Sequence, residues 1–153
     1  MMKNYKGIKI EIKPTAEQIE KINKTIGTGR FLYNFYIAYN KEIYEKEKRF
    51  VTGFEFSKYI NNIFIKENPD KSWIKDVSSK SNKQAIMNSE KAFKRFFNKI
   101  SSFPKFKKKS HNNQKCYFFK NNKTDFEFYR HKIKIPTLKF VRLKEYGYIP
   151  KNA

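Results

Sequence analysis

Ile8-Lys9-Ile10-Glu11-Ile12-Lys13-Pro14-Thr15-Ala16-Glu17-Gln18 changes its period midway. Ile8, Ile10 and Ile12 alternate with Lys9, Glu11 and Lys13, the two-residue period of a strand with one apolar face. Pro14 ends that strand. Thr15 and Gln18 stand at capping-box spacing, and Glu17 suits the positive end of a helix. A short strand therefore leads straight into a helix. Ile19, Ile22 and Ile26 share one face of it, and Gly27 and Gly29 are expected to break or kink it. A second helix carries Leu32, Phe35, Tyr36, Tyr39 and Ile43 inward. Gly53 punctuates the chain, and Ser57 is expected to cap a third helix bearing Ile60, Ile63 and Phe64. Pro69-Asp70 reads as a turn.

The fourth helix has the clearest pattern. Ser81 and Gln84 are spaced as a second capping box. Ala85, Ile86, Ser89, Ala92, Phe93, Phe96, Phe97 and Ile100 then form one stripe at helical spacing. Lys83, Lys91, Lys94, Arg95 and Lys99 lie beside or opposite it. This basic flank is either a solvated face or a phosphate contact. After Ser101-Ser102 the apolar runs become short and turn-bounded. Cys116 to Phe119, Phe126 to Tyr129, Ile133 to Ile135 and Leu138 to Leu143 read as strands, with Asn121-Asn122 as a turn. One strand, four helices and about four strands predict an α+β fold: a small antiparallel β-barrel with a helical bundle inserted after its first strand. The expected divisions are a first barrel strand at 1–13, a helical domain at 14–101, and a basic loop with the remaining strands at 102–153.

Charge points to the partner. Thirty-five Lys and Arg against 14 Asp and Glu give +21 over 153 residues. Such a chain repels itself and calls for a polyanion, and nucleic acid is the first candidate. Residues 1–76 hold 15 bases and 10 acids, net +5; residues 77–153 hold 20 bases and 4 acids, net +16. An anionic membrane would call for a basic amphipathic helix ending in Trp or Leu, and the sequence offers none. No apolar run is long enough for a membrane span, and no apolar signal region follows Met1, so a cytoplasmic location is expected. One cysteine, Cys116, excludes an internal disulfide and reads as a small buried residue.

Catalytic chemistry is thin. Two-metal hydrolysis gathers several carboxylates around ions about 4 Å apart. The basic half has Glu90, Asp125, Glu127 and Glu145. Asp125 and Glu127 share a strand face and read as surface charges before they read as metal ligands. His111 and His131 stand apart from second ligands, and no glycine-rich phosphate loop occurs. Binding features are stronger. Phe103-Pro104-Lys105-Phe106-Lys107-Lys108-Lys109 joins a proline-stiffened turn and two aromatic anchors to four lysines, which neutralise phosphates.

Several segments, in order, resemble the N-terminal portion of the TnpB/OrfB proteins of bacterial insertion sequences. They are Lys13-Pro14-Thr15-Ala16-Glu17-Gln18; Thr25-Ile26-Gly27-Thr28-Gly29-Arg30-Phe31-Leu32-Tyr33-Asn34; Ser72-Trp73-Ile74-Lys75-Asp76-Val77; Lys91-Ala92-Phe93-Lys94-Arg95-Phe96-Phe97; the basic loop from Phe103 to Lys109; and Ile135-Pro136 with Leu138 through Val141-Arg142. That family, long classed as transposases of transposable elements and tied to DNA recombination, comprises RNA-guided DNA endonucleases related to type V CRISPR effectors. One departure is Lys139, where the family usually has glycine. The other is the end at Ala153, before the family's RuvC-like nuclease domain with its three acidic residues and four-cysteine zinc site.

The resemblance implies the wedge and recognition domains without the active site. It implies guide RNA and target DNA as partners, no catalytic residues, and no cofactor here, since magnesium and zinc belong to the nuclease domain. By position it makes Ser57, Ser79, Lys83, Gln84 and Lys120 candidates for reading a motif beside the DNA target. Lys91, Lys94, Arg95, Lys105, Lys107, Lys108 and Lys109 are candidates for the wider nucleic-acid surface. Simple helix capping is the alternative for Ser79 and Gln84. Arg30, Tyr33 and Asn34 are either binding residues or joints that fix a loop. Two further readings stay open: a stand-alone non-catalytic regulator of the element, and a complete enzyme using Asp125 and Glu127.

Overall fold

The computed structural model describes residues 2–110, 115–119 and 126–145. It comprises two compact units, one formed by Met1–Lys21 with Phe118–Ala153, the other by Ile22–Tyr117.

The first unit is built on an antiparallel sheet. Its strands are β1 (Ile12–Lys13), β2 (Glu127–Phe128), β3 (Lys132–Ile135) and β4 (Lys139–Leu143), in the order β1-β4-β3-β2. The register pairs Ile12 with Leu143, Ile133 with Val141 and Phe128 with Ile133. Ile133 and Leu143 are buried, and Ile10, Ile12, Phe126 and Ile135 pack against them, while the expected first strand shortens to Ile12–Lys13 and Ile8 is left exposed. The α+β class with an antiparallel sheet holds, but among the described residues the sheet is open, with β1 and β2 as edges, rather than a closed barrel. The Cys116–Phe119 segment forms no strand. The Tyr117 carbonyl accepts a hydrogen bond from the Ser81 hydroxyl, so that backbone group is engaged with a helix instead of a ladder.

The predicted first capping box is formed. The Thr15 N–H donates to Gln18 Oε1 (2.9 Å) and the Gln18 N–H to Thr15 Oγ1 (3.2 Å). Gln18 has a second task. Its Nε2 donates to the carbonyls of Leu138 (2.9 Å) and Phe140 (2.8 Å), which ties the helix start to the β3–β4 hairpin. The Lys139 departure falls in that hairpin. Pro136 and Thr137 (φ 77°) are the central residues of a turn closed by the Leu138 N–H to the Ile135 carbonyl (3.1 Å), the geometry of a type II turn. Lys139 follows at φ 63°, a conformation that glycine adopts without steric cost.

Helix α1 runs from Ala16 to Glu47 without interruption, so Gly27 and Gly29 neither break nor end it. Gly29 instead lies where the later helix carrying Ala85 approaches closely: a Cβ built there would sit 3.5 Å from the Ala85 Cβ. A glycine inside a helix costs about 1 kcal/mol relative to alanine, an amount tertiary packing readily outweighs. In the second unit, Leu32, Tyr36 and Ile37 from α1 pack with Val51, Phe56, Ile60, Ile65, Ile74, Ile86 and Phe93. Many of its rings meet edge to face; Tyr36 contacts Phe56 at 5.3 Å and Phe93 at 5.8 Å. Ile19, expected on the inner face, is 46% exposed.

Helix α2 (Gly53–Tyr59) is capped by Thr52, whose Oγ1 accepts from the Glu55 N–H at 3.3 Å. Ser57 therefore lies inside this helix and caps nothing, contrary to expectation. The rod continues through a π-helical turn (Ile60–Phe64) into the short α3 (Ile65–Glu67). Pro69–Asp76 form a 3-10 helix rather than a simple turn. Helix α4 spans Ser79–Phe97, with Ser78 at its N-cap, so the Ser81–Gln84 pair stands inside the helix and forms no box. Its end is a Schellman motif: the Lys99 N–H (φ 59°) donates to the Phe96 carbonyl and the Ile100 N–H to the Arg95 carbonyl. The stripe thus stops short, leaving Phe97 53% and Ile100 65% exposed.

Candidate nucleic-acid interface

Residues 91–124 contain 11 lysines and arginines and no acid. How such a stretch is held decides whether it is a tail or a surface. Part of it is pinned to α1. Arg30, Tyr33 and Asn34 stand three and four residues apart on that helix, hence on one face. The Asn34 amide makes a paired contact with the backbone of Lys107: Nδ2 donates to the Lys107 carbonyl (2.9 Å), and the Lys107 N–H donates to Oδ1 (2.8 Å). The Lys107 ammonium sits 4.2 Å from the centroid of the Tyr33 ring, a cation–π contact. Burial, with the charge of Lys115 behind it, lowers the pKa of Lys107.

A second anchor holds the start of the loop. Phe103 meets Phe93 edge to face (5.5 Å, 90°) and Phe96 (5.3 Å), and Pro104 is buried. Phe106, expected as an anchor, is 56% exposed; the Asn34–Lys107 pair fixes that end of the loop instead. Lys105, Lys108 and Lys109 are exposed on this fixed segment.

The α4 candidates divide. Lys83, Lys91, Lys94 and Arg95 are exposed, with Lys94 bound to Glu90 at 3.0 Å. Glu90 also accepts the Gly53 N–H, at the start of α2. Burial works against its charge, yet the bonds from Gly53 and Lys94 outweigh it and hold the carboxyl below its ordinary range. Gln84 Nε2 donates to Asn88 Oδ1 (2.8 Å), so its side chain caps no helix end. Ser57 and Ser79 are brought together. They line one open cavity of about 550 Å³ with Asn61, Asn62, Lys75 and Asn82. Asn82 donates to the Ile74 carbonyl (2.9 Å), while its buried Oδ1 has no partner among the described residues.

Lys120, His111 and Asp125 lie outside the described residues. Glu127 accepts a hydrogen bond from the Tyr129 hydroxyl at 3.2 Å. Among the described residues, no three His, Cys, Asp or Glu side chains gather closely enough to hold a metal ion. No described helix is long and apolar enough to cross a membrane.

Sequence reasoning missed a row of bases on the sheet. Register places Arg142 opposite both Lys13 and Lys132, so three bases from three strands share one face. The Lys132 ammonium lies 4.5 Å from the Phe140 ring centroid and 5.2 Å from that of Tyr129. The register that aligns these residues is invisible to a reading of each strand alone.

Residues 1–49 match the helix-turn-helix domain of the OrfB proteins of the IS605 type. The N-terminal region is thus similar to the OrfB proteins of the IS605 type. Over 111 residues the chain is 27% identical to InsQ of Escherichia coli (strain K12), a protein named for an assigned RNA-guided DNA endonuclease activity. That match covers 72% of this chain and 27% of InsQ, so the chain aligns with about a quarter of its relative. In this OrfB-type region the matched residues form β1 and one uninterrupted helix, with no turn at Gly27-Thr28-Gly29. The Arg30-Tyr33-Asn34 face, which supplies the clamp on Lys107, falls within the matched OrfB-type segment.

Proposed function

We propose that this chain is a non-catalytic nucleic-acid-binding module of the TnpB/OrfB kind, gripping guide RNA and target-adjacent DNA. The observation that carries the reading is the basic loop clamped by Asn34. Ordering a lysine-rich loop costs conformational entropy and electrostatic self-repulsion, and a polyanionic ligand offsets the repulsion. Lysines offer charge without a fixed fork, so Lys105, Lys108 and Lys109 hold phosphates irrespective of sequence. Ser57, Ser79 and the asparagines around them offer the neutral donors and acceptors that base edges require. In this reading the sheet-bearing unit acts as the wedge and the helical unit as the recognition element. Cutting, with any magnesium or zinc it needs, is left to a nuclease domain outside these residues.

The test is a salt titration. With roughly six to ten phosphates neutralised, affinity for structured RNA falls on the order of 10³-fold or more between about 50 and 200 mM salt. Changing Lys105, Lys108 and Lys109 to Ala flattens that slope and weakens RNA and DNA alike. A flat salt dependence for the unaltered chain removes the polyanion reading.

A further inference from the structure

Within the helical unit, a cavity of about 120 Å³ is lined by Arg30, Tyr33, Lys107, Lys115, Ser81 and Asn88, with apolar neighbours such as Ile26 and Ala85. Its chemistry is one-sided. Three basic residues line it, and no carboxylate is among its described lining residues. Arg30 Nη1 is buried and has no hydrogen-bond partner among the described residues. A guanidinium nitrogen removed from water without an acceptor is costly, and nearly all buried polar groups in folded proteins are satisfied. The group that satisfies it is an acceptor, and three basic lining residues with no carboxylate favour an anion over water there.

The neutral groups agree. Asn88 Oδ1 is engaged by Gln84, so the remaining hydrogen-bonding group of that amide is its NH2, a donor. Burial raises the Tyr33 pKa and pushes the Cys116 thiol up to about 11, so both stay protonated at neutral pH and present no competing negative charge. Lys107 is held in place by Asn34 and Tyr33; burial first, and the charge of Lys115 second, lower its pKa, and an anion in the cavity offsets that repulsion. A planar fork beside two ammonium groups suits a tetrahedral oxyanion with several acceptor oxygens.

We propose that this cavity, bounded by Arg30, Lys107 and Lys115, is a binding site for a single phosphate group. That the phosphate is supplied by a bound nucleic acid rests on the function proposed above. The site would seat either a 5′-terminal phosphate or one internal phosphate of the strand.

The experiment titrates the whole chain with inorganic phosphate at constant ionic strength, followed by phosphorus NMR. Filter binding of one oligoribonucleotide, with a 5′-phosphate or a 5′-hydroxyl, runs alongside. The variants are Arg30→Gln and Lys115→Ala; Lys115 is exposed, so its removal leaves the fold intact where loss of Arg30 disturbs it. The expected result is saturable phosphate binding, weakened at least tenfold in both variants. A tenfold preference for the 5′-phosphorylated strand identifies a terminal group. Equal affinity for the two strands, with both weakened by the variants, identifies an internal one. Absence of saturable phosphate binding by the folded chain overturns the site, as does binding unchanged in both variants. Salt-dependent RNA affinity persisting in either case leaves the nucleic-acid reading standing. Saturable phosphate binding by a chain with no affinity for RNA sinks that reading and spares the site.

Discussion

Replacing Asn34 with Ala removes both hydrogen bonds that hold Lys107, at 2.9 and 2.8 Å. Each such bond contributes about 0.5–1.5 kcal/mol net, so the loop loses roughly 1–3 kcal/mol of anchoring. The Tyr33–Lys107 contact and the Phe103 packing remain. With 1.4 kcal/mol to a factor of ten, the open population of the loop rises about 5- to 150-fold, near 30-fold at the centre of the range. The loop carries its own assay, because Lys105, Lys107, Lys108 and Lys109 are trypsin sites. Where reclosure is faster than cleavage, the cleavage rate follows the open population. Limited trypsinolysis read by mass spectrometry should therefore show cleavage after these lysines accelerating by that factor. Cleavage elsewhere changes less. Asn34→Asp keeps an acceptor for the Lys107 N–H and loses the donor to its carbonyl. It should give about the square root of the alanine effect, near fivefold, if the bonds contribute equally. Equal loop cleavage in folded wild-type and Asn34→Ala chains would refute the clamp.

Lys99→Gly should stabilise the chain by about 1 kcal/mol, since φ 59° at this helix end suits glycine, and urea midpoints at unchanged m-value measure it. Glu90→Gln tests the charge on α4: a carboxyl whose folded pKa is depressed contributes stability above its unfolded pKa and loses it as pH falls through the folded one. The melting gap between wild type and Glu90→Gln should accordingly be full at neutral pH and close in acid below the ordinary carboxylate range; a gap constant with pH would show that ionisation plays no part. Gln84→Ala should cost less than about 0.5 kcal/mol in a thermal melt, as expected for a side-chain pair four residues apart along a helix, whereas a loss near 1 kcal/mol would restore a capping role.

The elements that could be read directly are those with short-range causes. The Thr15–Gln18 box follows from side-chain chemistry three residues apart, and the inward placing of Leu32 and Tyr36, and of Ile10 and Ile12, from periods of 3.6 and two residues. Lys139 was visible as a departure, and its φ of 63° shows why glycine suits that position. The errors cluster where a local signal met a tertiary contact. Gly27 and Gly29 read as breakers because propensity is local, while the packing of Ala85 beside Gly29 lies 56 residues away. Ser57 and Ser81 carry the side chains of capping residues, yet Thr52 and Ser78 hold those positions.

Composition and order along the chain were sufficient to establish a strongly basic α+β protein with an aromatic helical core and its bases concentrated in the second half. They were also sufficient to bring the OrfB-type motifs into view. Which bases act together was beyond them. Asn34 meets Lys107 across 73 residues, and Arg142 aligns with Lys13 and Lys132 through strand register. Arg30 reaches the same cavity as Lys115 because helix packing, rather than any spacing in sequence, puts them there. A residue's neighbours along the chain govern its backbone conformation. Its partners in charge and hydrogen bonding are set by whichever packing buries the Phe, Tyr and Ile side chains, and that is a property of the folded whole.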